Sequence, residues 1–323
     1  MTSEFKVEFV TNSHGFRDME YEMPKAPGAC RALVVGDSFS VGFGVKQENV
    51  YSQILEQSLN SDSAKTGSRQ WEIINASVPA YDPYMYVEAA RKYVPEFSVD
   101  MVIVGFYIGN DFISTGEDDR MIIENGYLVS WDRSLPNAAP GAGRGQSVGN
   151  YFRSFRVFLA FNSHLYVLLR NVANRYRWNF TIRNQKYKLG LYRTESASDR
   201  FGAVETHIEK LKGIVDFHDT SLLFIIIPQR KQVYDDIWSA AVTGSGLAPE
   251  EFAYDAPNRR LIRILERHDI RYIDLLPVMH NRQNEEFYFP RDGHWNSAGH
   301  SAAAGVIFKH IQNSGGSNLR DCK

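Results

Sequence analysis

The sequence predicts an α/β fold: a three-layer α/β/α sandwich around a parallel sheet of about five strands. Two patterns carry this prediction. Short, almost continuous apolar and β-branched runs recur along the chain, as in strands covered on both faces. Between them lie stretches with apolar residues three and four apart, the period of a helix that buries one face. Length sets the bound: 323 residues, at about 150 per domain, leave room for a large core plus an insertion or second domain.

Taken in order, residues 1–30 precede the first apolar run and read as an N-terminal extension. Ala32, Leu33, Val34 and Val35 form the first strand, and Val50, Ile54, Leu55 and Leu59 line the helix after it. Ile73-Ile74 and Met101 to Val104 are the second and third strands. From about 112 to 199 the rhythm breaks, and this interval is expected to be an insertion forming a cap beside the sheet. It opens with a hairpin signal, Met121 to Val129, turning at Asn125-Gly126, a pair suited to a type I′ turn. A Gly-rich loop at 140–145 and an aromatic helical stretch from Tyr151 to about Tyr176 follow. The alternation then resumes with a helix lined by Val204, Ile208, Leu211 and Val215 and a strand from Leu222 to Ile227. Leu261, Ile264 and Leu265 line a further helix, and Arg271 to Asp274 form a fifth strand. The catalytic domain is thus expected over 31–313, with 314–323 a flexible tail.

Composition excludes several classes. Lys plus Arg total 36 and Asp plus Glu 38, so no basic surplus points to nucleic acid or an anionic membrane as partner. The N-terminus lacks the apolar stretch of a signal peptide, and no run spans a bilayer, so a soluble, cytoplasmic chain without stable membrane insertion is expected. With two cysteines, Cys30 and Cys322, neither a disulfide scaffold nor a thiolate zinc site is available. Two free thiols are expected, a single bridge between them being the other option.

In an open parallel sheet, ligands bind beyond the carboxyl ends of the strands. The first strand ends in Gly36-Asp37-Ser38-Phe39-Ser40, the second in Asn75 to Tyr81, the third in Gly109-Asn110-Asp111. After the last strand come Asp292-Gly293-His294-Trp295-Asn296, opening the final helix. A serine hydroxyl needs a base within reach and a third group to orient that base. Ser38 lies where a helical first turn would aim free N–H groups at developing negative charge. Gly42 and Gly44 permit close approach. Asp292 and His294 stand two apart across a glycine, so a tight loop can turn the carboxylate toward Nδ1 and leave Nε2 for Ser38. Asn110 offers an amide N–H to an oxyanion.

On these four blocks the sequence resembles the SGNH hydrolases, the GDSL-type esterases and lipases. Gly36-Asp37-Ser38 matches the family's nucleophile block, and Gly109-Asn110-Asp111 a reduced form of its third. Asp292 and His294 match its last. The resemblance covers about 31–111 and 220–310. It implies a flavodoxin-like strand order and serine ester hydrolysis, most simply O-deacylation of a small-molecule, carbohydrate or lipid ester. Ser38 would be the nucleophile, His294 the general base and then acid, and Asp292 its orienter. Ser38 N–H, Ala80 N–H and Asn110 would form the oxyanion hole; Ala80 stands where the family normally has glycine. No metal or organic cofactor is called for. The short Asp-x-His motif followed by Trp-Asn is also similar to polysaccharide O-acetyltransferases and related acetylesterases. That makes an O-acyltransferase using the same residues the alternative. A non-catalytic carbohydrate- or acyl-binding module is the reading from another class.

Plainer roles are expected for other features. Asp37 should bond local backbone and shape its turn, and Asn296 should cap the last helix. His300 should pack in that helix or lie on the surface, not pair with His294 on a metal. Residues 141–145 follow no strand and lack the lysine of a phosphate loop. Asn179-Phe180-Thr181 matches a glycosylation sequon without a secretory context. The aromatics Tyr151, Phe152, Phe155, Phe158 and Phe161 should pack the cap onto the sheet.

Overall fold

Five strands build one parallel sheet in the order β2-β1-β3-β6-β7, and two form a separate antiparallel pair. They are β1 (Cys30–Gly36), β2 (Trp71–Asn75), β3 (Met101–Tyr107), β4 (Arg120–Glu124), β5 (Tyr127–Asp132), β6 (Ser221–Ile227) and β7 (Arg271–Asp274). The computed structural model describes residues 4–67, 69–112, 120–124, 127–132, 189–194 and 199–313. The predicted three-layer sandwich and its flavodoxin-like order are both present. The hairpin strands β4 and β5 form as expected. Its Asn125-Gly126 turn, the loop at 140–145, the aromatic stretch 151–176, the sequon and the tail 314–323 all lie outside the described residues.

Period-two alternation assigns side chains to the two sheet faces. Leu33, Val35, Val102, Val104, Phe224 and Ile226 enter one core; Ala32, Val34, Met101, Ile103, Leu223 and Ile225 enter the other. The predicted helical stripes cover these faces. In α1 (Tyr51–Thr66) Leu55 and Leu59 are buried, and Val50 just before it is buried too. In α3 (Asp199–Phe217) Val204, Ile208, Leu211 and Val215 are buried. In α6 (Ala256–Arg267) Leu261, Ile264 and Leu265 are. The helix α2 (Pro83–Phe97), not anticipated, fills the first core with Tyr86, Val87, Val94 and Phe97. Its start is marked in the sequence: Pro83 holds the first helical position, and the Asp82 carboxylate accepts from Met85 N at 3.1 Å. Shorter helices α4 (Arg230–Val233), α5 (Asp235–Ser245) and α7 (Leu276–His280) complete the sandwich with α8 (Ser297–Asn313). No helix among the described residues is long and apolar enough to cross a membrane.

The strand order reverses between β1 and β3, with β2 outside one and β6 outside the other. That crevice is the switch point where open α/β sheets bind ligands. Gly36 and Gly105 are register partners there. A Cβ on either would lie 2.2 or 2.1 Å from Ser40 Oγ, so the glycines make room for the buried Ser40 hydroxyl, which accepts from Tyr51 OH at 3.0 Å.

The extension is part of the fold. Arg17 is 2% exposed and donates to the carbonyls of Val41, Gly42 and Val45 at 3.0, 2.6 and 2.6 Å. Asp18 accepts from Asn75 N and Gln53 Nε2, both at 2.5 Å. One expectation is corrected: Cys30 is disulfide-bonded, not a free thiol, and Cys322 is the chain's other cysteine. A disulfide lowers the entropy of the unfolded chain, a gain that cysteine number alone does not reveal.

Candidate active site

Ser38 follows β1 in a run of turns over 37–45. One turn of the expected helical type forms, but it does not continue into a helix. Val41 N donates to Asp37 O, but Phe43 N reaches back five residues to Ser38 O, at 3.0 Å each. Gly42 and Gly44 have φ of +79° and +90°, the left-handed region that ends a right-handed helix. Among the described residues nothing accepts from Ser38 N–H, which leaves it available at the crevice.

Asp292 and His294 lie on a narrow loop between Phe289 and His294. Phe289 N donates to His294 O at 2.8 Å and Gly293 N to Phe289 O at 2.9 Å, and Gly293 turns the chain at φ +88°. Within this loop His294 Nδ1 meets Asp292 Oδ1 at 2.5 Å, and His294 Nε2 meets Ser38 Oγ at 2.7 Å. The three side chains form one hydrogen-bonded run, half-shielded from solvent. The rings of Phe39 and Phe43 lie 5.0 Å from the imidazole on either count.

Asn110 follows β3 and faces the residue before Ser38: its Nδ2 donates to Asp37 Oδ2 at 3.0 Å. Asp37 is fully buried, and its other oxygen accepts from Phe39 N at 2.8 Å. Burial pushes its carboxyl up to about 6, against the pull of those two donors. The expected turn-shaping role is present, and the bond to Asn110 was not foreseen. Asp111 is buried as well. It accepts from Tyr86 OH at 2.9 Å and Tyr107 N at 2.8 Å, and burial with neighbouring Asp37 holds its carboxyl well above the usual range. Neither acid hydrogen-bonds His294.

Ala80 is exposed at the end of the β2 loop with φ +67°. It keeps the left-handed backbone that glycine favours, and no described group accepts from its N–H. Asn296 caps α8, Oδ1 accepting from Ala298 N and Gly299 N at 2.9 and 3.1 Å. His300 is buried in α8. Its Nδ1 accepts from Tyr51 N at 3.3 Å, and burial lowers its pKa to about 3, so it packs as a neutral ring. Glu205, Glu209 and His268, on and beside α3 and α6, are the described cluster with metal-ligand types within 4.8 Å. Glu205 there is already bonded to Arg267 and His268.

The serine therefore meets the histidine and acid from two separated segments, the turns after β1 and the 289–294 loop, at one rim. Such a run can take a proton from the serine hydroxyl and return it to a leaving group. Ser38 N–H, the second hydrogen of Asn110 Nδ2 and Ala80 N–H lie on the segments that follow β1, β3 and β2.

Residues 185–321 match the family model described as the SGNH hydrolase-like domain of acetyltransferase AlgX. The match includes Asp292 and His294; Ser38 and Asn110 precede it. It bears out the resemblance drawn from the four blocks. No curated protein matches the sequence. Among solved structures, an acetyl xylan esterase, AlAXEase, is similar at 10% identity and TM-score 0.47, over 87% of this chain and 99% of its own. The psychrotrophic esterase EstA from Pseudoalteromonas sp. is similar at 10% and 0.45, over 88% and 97%. A lipolytic G-D-S-L family protein from Veillonella parvula is similar at 10% and 0.45, over 88% and 98%.

Proposed function

From an SGNH hydrolase-like fold, we propose that this protein is a serine-dependent acyl-transfer enzyme that takes an acyl group, most simply acetyl, from an ester and passes it to a carbohydrate hydroxyl. The observation that carries the serine chemistry is the run Asp292–His294–Ser38, at 2.5 and 2.7 Å. The acetyltransferase match over 185–321 supports transfer to a sugar over transfer to water, the reading the motifs alone put first.

In this reading Ser38 Oγ attacks the ester carbonyl as its proton passes to His294 Nε2. Asp292 holds the Nδ1–H tautomer and stabilises the imidazolium. The carbonyl oxygen becomes an oxyanion that accepts from Ser38 N–H, Asn110 Nδ2 and Ala80 N–H. Collapse breaks the bond to the leaving alcohol, which takes the proton from His294 and leaves an acyl-serine. The acceptor hydroxyl then repeats the cycle in reverse: its proton goes to His294, its oxygen bonds the acyl carbon, and Ser38 regains its proton.

The test is acetyl transfer from p-nitrophenyl acetate with and without oligosaccharide acceptors, following nitrophenol release and acetylated sugar by mass spectrometry. Transfer predicts acetylated sugar that disappears in Ser38→Ala. Nitrophenol and acetate alone, unaffected by any acceptor, return the protein to ester hydrolysis. No turnover, with no labelling of Ser38 by a fluorophosphonate, leaves a binding module.

A further inference from the structure

Two residues of the N-terminal extension, far from every motif, reach the loop that carries Asp292 and His294. The Glu4 carboxylate accepts from two consecutive amides, Arg291 N at 2.9 Å and Asp292 N at 2.7 Å, one on each oxygen. The loop's internal bonds, from Phe289 N to His294 O and from Gly293 N to Phe289 O, use neither of these amides. Next to it, the Phe5 ring lies 4.9 Å from Phe289, which opens this loop, and 5.5 Å from Phe43, which belongs to the turns after Ser38. Gly44 lets them close: a Cβ there would sit 2.9 Å from the Phe289 ring and 3.0 Å from that of Phe5. Glu4 and Phe5 thus clasp the nucleophile's loop and the acid–base loop together.

We infer that Glu4 is a positioning residue that holds Asp292 in register with the imidazole of His294, with Phe5 as its buttress. The inference rests on Asp292 being the orienting acid of the proposed reaction. The loop is short and its tip, Pro290 and Arg291, is exposed, so its own bonds leave the backbone of Asp292 unheld. A catalytic group must stay within about 0.5 Å of its working geometry, and a 1 Å error costs up to roughly 100-fold in rate. A bidentate carboxylate on the amides of Arg291 and Asp292 supplies that restraint.

The experiment compares full-length wild type, Glu4→Ala and Glu4→Gln by hydrogen exchange of the 289–296 segment, by the rate of fluorophosphonate labelling at Ser38, and by kcat and KM for p-nitrophenyl acetate. In Glu4→Ala we expect faster exchange at Arg291 and Asp292. Labelling and kcat should fall roughly ten-fold, with KM and the thermal midpoint near wild type. Glu4→Gln, which keeps one acceptor oxygen, should fall between. Unchanged exchange overturns the inference, and so does faster exchange with undiminished labelling and kcat. If wild-type Ser38 neither labels nor turns over, the proposed reaction fails and the positioning role with it, whatever the exchange shows.

Discussion

Asp37 and Asn110, 73 positions apart, are joined by a hydrogen bond of 3.0 Å from the amide Nδ2 to the buried carboxylate. An ionised carboxylate only accepts, so Asn110 must turn its nitrogen, not its oxygen, toward Asp37. Among the described residues Asn110 Oδ1 is buried without a partner, in keeping with an orientation set by Asp37. The amide that would meet an oxyanion is thereby aimed by the residue next to the nucleophile. Losing one oxyanion donor typically costs about 10²–10³ in rate. Asn110→Ala is expected to lower kcat by that order with little change in KM. Asp37→Asn, which can present a donor to Asn110 and let its amide turn, should lower kcat by less. Steady-state kinetics on p-nitrophenyl acetate decides, and an effect confined to KM would make Asn110 a ground-state contact.

The fold's pH dependence follows from its buried acids. Burial raises Asp18 and Asp37 to about 6 from 3.8, and Glu56 to about 7 from 4.5. These groups bind protons more tightly folded than unfolded, so between about pH 4 and 7 the native state carries more protons. Stability therefore falls as pH rises through that window. A shift of about two units corresponds to on the order of 3 kcal/mol per carboxyl, more than exposed ion pairs such as Arg282–Glu285 return. The thermal midpoint is expected to be higher at pH 5 than at pH 8. A midpoint that climbs steadily from 5 to 8 would contradict the assignment.

The sheet was legible because its strands are buried on both faces, so Met101 to Val104 and Leu222 to Ile227 read as unbroken apolar runs. The rim residues were legible because each stands just past a strand or opens the last helix. What escaped depends on contacts between distant segments. No local pattern connects Glu4 to Asp292, Arg17 to the carbonyls at 41–45, or Asp37 to Asn110. The α2 start at Asp82-Pro83, by contrast, is a local signal, a capping carboxylate followed by proline at the first helical position.

Cysteine pairing is another long-range fact that spacing does not encode. With Cys30 disulfide-bonded and two cysteines in the chain, the unfolded, unreduced protein should show no reactive thiol and the reduced one two. Loss of the bridge should cost about 2–5 kcal/mol. Thiol titration in denaturant with and without reductant, beside thermal melts, checks both; a free thiol before reduction would refute the pairing.

Ala80 carries a φ of +67°, which for a residue with a Cβ costs about 1–2 kcal/mol. Glycine removes that strain but gains unfolded-state entropy, a loss of about 0.4–1 kcal/mol. Ala80→Gly should therefore leave stability equal or higher by up to about 1.5 kcal/mol. Since the N–H is unchanged, kcat should stay within about two-fold of wild type. A large fall in kcat with an intact fold would show that the Ala80 methyl, and not only its amide, matters to the site.

Three aspartates stand near the rim, and geometry separates them. Asp37 spends its oxygens on Phe39 N and Asn110, Asp111 bonds Tyr86 and Tyr107 N, and only Asp292 meets the imidazole, at 2.5 Å on Nδ1. Asp292→Asn keeps the shape but places an amide where a carboxylate accepts from Nδ1–H. If its oxygen turns toward the ring, the tautomer survives and only the charge that stabilises imidazolium is lost. If its nitrogen does, the proton is driven to Nε2 and the base is blocked. Such a change costs up to about 10⁴ in kcat in a comparable triad, so a fall of at least about 100-fold at neutral pH is expected. Asp292 is partly exposed, and its backbone N–H keeps the bond to Glu4, so the thermal midpoint should scarcely move. Measuring kcat and thermal unfolding for Asp292→Asn beside Asp37→Asn distinguishes the roles. A near wild-type Asp292→Asn enzyme would leave a Ser38–His294 dyad and remove Asp292 as the orienting acid.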